Sequence, residues 1–177
     1  MANHAYEEHY TKEDYYQWQG DWEIVYGHAY AMVPSPSFRH QLIGSKIIKQ
    51  LLEQTENCQK CHALYEIDIE FSEDTVVCPD CIIICHEPDE RITKAPEIIF
   101  EIISKSTAKR DEQLKFELYQ DEGVKYYIIV YPDSNKAKVY HLKNGKYIKV
   151  GDFSEESSLF TLDECEINMD FSKIWKK

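Results

Sequence analysis

The chain lacks any apolar run approaching the roughly 18 to 20 residues that a membrane-crossing helix needs, so no span is expected. Its opening stretch, Met1 to Tyr10, is polar and rich in His and Glu, without the apolar segment of a secretory signal. A cytoplasmic location is the expectation that follows. No internal repeat, linker or low-complexity tract interrupts the 177 residues, which fits one domain over 1–177 with 1–9 expected to be disordered. Basic residues are scarce, 20 Lys and Arg against 32 Asp and Glu, for a formal net charge of −12. That balance argues against a broad nucleic-acid-binding face, because neutralising phosphates supplies much of such affinity. The local exception is Lys105-Ser106-Thr107-Ala108-Lys109-Arg110, with Lys94 before it. A short basic run of this kind is most often a solvated turn.

What is present is the material of a folded core: 43% hydrophobic and 13% aromatic residues. Thr11 as N-cap with Glu13 and Asp14 behind it predicts a short helix from Tyr10 to Gly20. Trp22 to Val33, bent at Gly27, reads as a hairpin. After the Pro34–Ser37 loop, Leu42, Ile43, Ile47, Ile48, Leu51 and Leu52 fall on one face of a helix over Phe38 to Glu53. His62 to Phe71 alternates Ala63, Tyr65, Ile67 and Ile69 against polar partners, then turns at Ser72–Thr75 into a strand over Val76 to Cys85. Glu97 to Ile103 is a continuous apolar strand and should be central. Ser104 or Ser106 caps a helix through Glu122, with Gly123 at its C-terminal turn. Tyr126–Tyr131, Ala137–Leu142 and Tyr147–Val150 read as strands, the last two joined through Asn144-Gly145. One further strand precedes Trp175. The order describes an α/β (α+β) fold with a central mixed β-sheet flanked by helices.

Two acids stand inside apolar runs. Pro79-Asp80 opens Cys81-Ile82-Ile83-Ile84-Cys85, and Glu101 lies within Ile98-Ile99-Phe100-Glu101-Ile102-Ile103. Desolvating a carboxylate is costly unless something compensates it, and two on successive strands suggest a shared cation. Oxygen ligands suit Mg²⁺ or Mn²⁺, which take only one or two carboxylates from a protein. Lys115 follows on a helix, completing an Asp…Glu…Lys set. Asp111 stands four residues before Lys115, so a helix-face ion pair is the plain alternative for both. In that case the lysine head would lie in water.

These residues resemble the Uma-two family of restriction-endonuclease-like proteins. The resemblance rests on His40 after a Ser/Pro loop, Pro79-Asp80 opening a strand, and Glu101-Ile-Ile-Ser104-Lys-Ser-Thr107. It continues with Asp111-x-x-x-Lys115-x-x-x-Tyr119 and Gly123-Val124-Lys125-Tyr126-Tyr127, and covers Tyr10 to about Tyr147. It implies the PD-(D/E)XK nuclease fold and Mg²⁺- or Mn²⁺-dependent hydrolysis of DNA phosphodiesters. Asp80 and Glu101 would then be metal ligands and Lys115 the catalytic lysine. The strict Glu-x-Lys spacing would put lysine at position 103, where this chain has Ile103, so the lysine has moved to the helix. Lys105 replaces a residue that is usually proline in the family and is a second lysine candidate. His40 either approaches the metal or caps its helix. Glu66 is a candidate third carboxylate, although alternation puts it with Asp68 and Glu70 on a solvated face. DNA is the expected partner, no membrane is, and a homodimer is an allowed assembly.

The cysteines carry a competing signal. Cys58-Gln-Lys-Cys61 and Cys78-Pro-Asp-Cys81 have the spacing of a structural Zn²⁺ site. A tight turn at Ser72–Thr75 argues against it, because it sets Cys61 opposite His86 and near Cys85, with Cys78 and Cys81 facing Glu70 to Glu66. Four residues of strand span roughly 13 Å, too far for one ion with bonds near 2.3 Å. Zinc is therefore the lesser expectation, and a Cys61–Cys85 cross-strand contact is conceivable. Two alternatives to a nuclease remain: a catalytically silent nuclease fold and a zinc-stabilised protein-binding module.

Overall fold

The computed structural model describes residues 7–32, 35–163 and 165–177. The expected disorder of 1–9 falls outside them for 1–6, and the hairpin limit at Val33 also lies outside; residues 7–9 are described. In chain order the elements are α1 (Lys12–Tyr15), β1 (Trp22–Val25), β2 (His28–Ala31), α2 (Phe38–Thr55), β3 (His62–Tyr65), β4 (Ile69–Ser72), β5 (Thr75–Val77), β6 (Cys81–Ile84) and β7 (Ile98–Ile102). Then come a π-helical turn over Arg110–Leu114, α3 (Lys115–Glu122), β8 (Tyr126–Tyr131), β9 (Lys136–Lys143), β10 (Lys146–Phe153), β11 (Ser157–Thr161), β12 (Glu166–Asp170) and α4 (Ser172–Trp175).

A six-stranded sheet in the order β10-β9-β8-β7-β6-β3 forms the centre, with β7 and β8 parallel and their neighbours antiparallel. One face packs on α2 and the C-terminal elements: Ile43, Ile47 and Leu51 meet Ile83, Phe100, Ile128, Phe160 and Ile174. The other face carries Ile82, Ile84, Ile99 and Ile129 and packs on Leu118 and Tyr119 of α3. Val25, Ile69 and Val77 join this second layer from a smaller sheet, β2-β1-β5-β4. This is the mixed sheet flanked by helices that the pattern predicts, and β7 is buried along its whole length.

The expected long hairpin from His62 to Cys85 is instead two short ones in two sheets. β3 pairs with β6 in the large sheet, and β4 pairs with β5 in the small one. The switch happens where Glu66 takes a left-handed φ of 45° and Pro79, next to the Asp80 that lies across from it, has no N–H to give the ladder. The Glu66 amide instead donates to the Asp80 carbonyl at 3.1 Å. The break also ends the alternation: Tyr65 is exposed, while Glu70, expected on a solvated face, is buried. The register of β3 on β6, His62 against Ile84, differs by one residue from the expected one, so Cys61 falls level with Cys85. Those two form a disulfide, Cys58 forms another with Cys165, and Cys78 and Cys81 are free thiols. The two CxxC pairs therefore do not share partners.

Other corrections are smaller. α1 is a single turn, its Thr11 amide donating to the Asp14 carboxylate at 2.8 Å. The hairpin through Asn144-Gly145, with φ of 51° and 75°, holds longer strands than expected, to Phe153. The tail folds as β11, β12 and α4, not as one strand.

Candidate active site

Three chain segments aim four charged side chains into one desolvated point beside β7. Ile98, Phe100 and Ile102 face α2, so alternation turns Glu101 to the opposite side with Ile99. Lys115 and Asp111 reach it from the start of the helix over this face. There the Lys115 amide bonds the Arg110 carbonyl, five residues back. This π turn widens the coil so that Asp111 and Lys115, four apart, share the inward side; such turns recur at functional sites. Glu23 comes from β1 of the small sheet. All four side chains are almost wholly buried: Glu23 1%, Asp111 3%, Lys115 3% and Glu101 4% exposed.

The Lys115 ammonium is the hub. Its Nζ lies 2.8 Å from Glu101 Oε1, 2.8 Å from Glu23 Oε1 and 3.7 Å from Asp111 Oδ1. Tyr119, one turn on, donates to Glu101 Oε1 at 2.7 Å. Glu23 accepts from the Cys78 amide at 2.9 Å and pairs with Arg110 at 3.4 Å. Arg110 in turn sits over the Tyr30 ring, and Tyr127 donates to the Asp111 carbonyl at 2.8 Å. The lysine therefore neither lies along a helix surface nor pairs with Asp111 alone.

Three carboxylates against two cations leave one negative charge in excess. Burial pushes the Glu101 carboxyl well above its ordinary range, even against the pull of Lys115. Burial likewise lifts Asp111 to about 6, opposed by Lys115 and the Thr107 hydroxyl. For Lys115 burial works against the charge, but Glu101, Glu23 and Asp111 outweigh it and hold the ammonium protonated.

Asp80 stands at the rim. The register of β6 on β7, Cys81 against Phe100, puts it beside Glu101 one step further along. Asp80 Oδ2 accepts from the Ile102 amide at 2.6 Å, and Oδ1 lies 3.3 Å from His40 Nε2. His40 does not cap α2; Ser37 does, accepting from the His40 amide at 3.1 Å. Burial disfavours the charged imidazole, but Asp80 and Glu66 outweigh it and raise its pKa. His40 Nδ1 is buried without a hydrogen-bond partner. Glu66 is exposed on the same rim, 3.4 Å from Gln41. Lys105 is exposed in the turn after β7, outside the buried cluster.

The residue that reading the sequence missed is Glu23. It carries the same signal that exposed Glu101, an acid inside an apolar strand, Trp22-Glu23-Ile24-Val25.

Among the described residues, no three His, Cys, Asp or Glu side chains are gathered about one ion-sized point. The donor chemistry nevertheless suits a hard divalent cation: carboxylate oxygens brought side by side by the pairing of β6 with β7, in a cluster with formal excess negative charge. Asp80 and Glu101 are the residues that would hold it. No helix among the described residues is long and apolar enough to cross a membrane.

Comparison with known proteins gives two findings. A family model described as "Uma2: Putative restriction endonuclease" matches residues 12–170. A crystal structure described as "a putative nuclease belonging to DUF820 from Anabaena variabilis ATCC 29413" superposes with a TM-score of 0.76. It is 16% identical, over 94% of this chain and 97% of that one, and so shows a shared fold. No curated protein matches the chain.

Proposed function

Because the chain belongs to the Uma2 family across residues 12–170, we propose that it is a DNA endonuclease of the PD-(D/E)XK type that hydrolyses phosphodiesters with Mg²⁺ or Mn²⁺. One observation carries the reading: a buried lysine, Lys115, 2.8 Å from the β7 carboxylate Glu101, with Asp80 next to Glu101 at the start of the adjoining strand. A structural core has no use for three acids and two bases, since an apolar set of similar volume is often as stable or more so.

Asp80 and Glu101 supply the oxygen ligands, and the bound cation would supply Lewis acidity toward the phosphate and an activated water. Lys115 lies 2.8 Å from both Glu101 and Glu23, and as a three-proton donor it is placed to orient a water or polarise a phosphoryl oxygen. Tyr119 fixes the Glu101 carboxylate, and Glu23 and Arg110 fix Lys115. His40 steadies Asp80. The exposed Lys105 and Lys109, in the segment between β7 and the π turn, offer phosphate contacts that the −12 net charge otherwise denies.

The test is cleavage of supercoiled plasmid with Mg²⁺, with Mn²⁺ and with chelator. Wild type is expected to nick only with a divalent ion, and Glu101→Gln and Asp80→Asn to be silent. Cleavage that survives both substitutions, or that needs no metal, refutes the assignment. The acidic charge favours the second reading, a catalytically silent nuclease fold, which predicts no cleavage under any of these conditions.

A further inference from the structure

The four paired cysteines lie apart from the carboxylate cluster, and the nuclease reading makes no use of them. Cys58 and Cys61 form a CxxC turn after α2, closed by the Cys61 amide on the Cys58 carbonyl at 3.4 Å. Cys85 follows β6, and its Cα is 3.9 Å from that of Cys61. Cys165 precedes β12, and its Cα is 6.0 Å from that of Cys58. All four belong to the core layer between α2 and the large sheet. The fold thus draws a CxxC pair, a strand end and the C-terminal hairpin to one place.

The two disulfides hold the four sulfurs out of the arrangement that a metal ion needs; we propose that reduction frees Cys58, Cys61, Cys85 and Cys165 to close on one tetrahedral Zn²⁺ that ties the C-terminal hairpin to α2 and the sheet. Four thiolates with a CxxC turn supplying two of them are the donor set of a closed structural zinc site. This keeps the Cys58-x-x-Cys61 half of the sequence signal and replaces Cys78 and Cys81, which the register carries elsewhere. Lys60 and Lys125 line the same hollow as Cys85, together with Glu97 and Asp163, so the thiolates are not set in a purely acidic surround. Opening the two disulfides takes four electrons and four protons from two molecules of a dithiol reductant, each of which leaves as its own disulfide. Zinc then displaces the four thiol protons. The inference does not depend on the nuclease reading.

The experiment uses the full chain, reduced anaerobically with excess dithiol, loaded with Zn²⁺ or Co²⁺ and desalted. One retained metal ion per chain is expected, with Co²⁺ giving tetrahedral visible bands and the sulfur charge-transfer intensity of four thiolates. Cys85→Ser and Cys165→Ser should each weaken metal binding by more than roughly 100-fold, beyond the effect of losing an outer-shell partner. Cys78→Ser should leave it unchanged. The wild-type Co²⁺ spectrum decides the matter should a serine variant fail to fold. Three results overturn the proposal: no metal retained by the fully reduced chain, loss of metal in Cys78→Ser, or disulfides that persist in excess dithiol.

Discussion

Replacing Lys115 with methionine removes the hub of the buried cluster while keeping most of its packed stem. Before the change, Glu23, Glu101 and Asp111 face Lys115 and Arg110, an excess of one negative charge; afterwards the excess is two. Arg110 reaches only Glu23, at 3.4 Å. Breaking a buried ion pair from one side costs on the order of 3–5 kcal/mol, and here the lost ammonium served two carboxylates at 2.8 Å. The stranded acids can recover part of this by taking up protons, at about 1.4 kcal/mol per pH unit for each proton. Urea unfolding at pH 7.5 should therefore show a loss of about 3–5 kcal/mol, shrinking by pH 5.5, with the slope on urea unchanged. A loss below about 1 kcal/mol at both pH values, the range of exposed pairs, would refute the burial of this lysine among carboxylates.

Glu101→Gln keeps the shape and balances the cluster at two acids and two bases, so it should abolish cleavage while shifting stability by less than about 1 kcal/mol; plasmid nicking and urea unfolding check the two halves. The carboxyl of Asp111, raised to about 6 in the fold against an ordinary 3.8, binds its proton more tightly when folded. Stability should accordingly rise as pH falls from 7 through 6 towards 4, by up to about 3 kcal/mol. Asp111→Asn should remove that component of the slope, which thermal unfolding across pH can read. His40→Ala should lower cleavage more than it lowers stability, since its imidazole touches Asp80 at the rim, and the comparison is of nicking rate against melting temperature.

Much of the site could be read from local pattern because desolvating a carboxylate leaves a mark in sequence. Asp80 and Glu101 stand out as acids in apolar strands, and Lys115 stands out by its spacing from them. Glu23 bears the same mark but lies on a different sheet, and nothing local says that β1 folds over β7. The central sheet was legible from apolar runs at Ile98–Ile102 and Tyr126–Tyr131. The sheet switch was not, because Glu66 takes a left-handed conformation that only tertiary packing imposes, with no glycine to announce it. The one-residue change of register on β3 then moved Cys61 from His86 to Cys85. The Cys58–Cys165 contact spans 107 residues, a separation that no periodicity encodes.

The central claim is that Asp80 and Glu101 share a divalent cation beside Lys115. Anomalous diffraction from crystals grown with Mn²⁺ tests it most directly. The account predicts one Mn²⁺ peak with Asp80 and Glu101 oxygens at about 2.0–2.2 Å, Lys115 remaining within hydrogen-bond reach of the Glu101 carboxylate. No peak at saturating Mn²⁺, or a peak bound by other residues while Lys115 still holds Glu101 and Glu23, would contradict it.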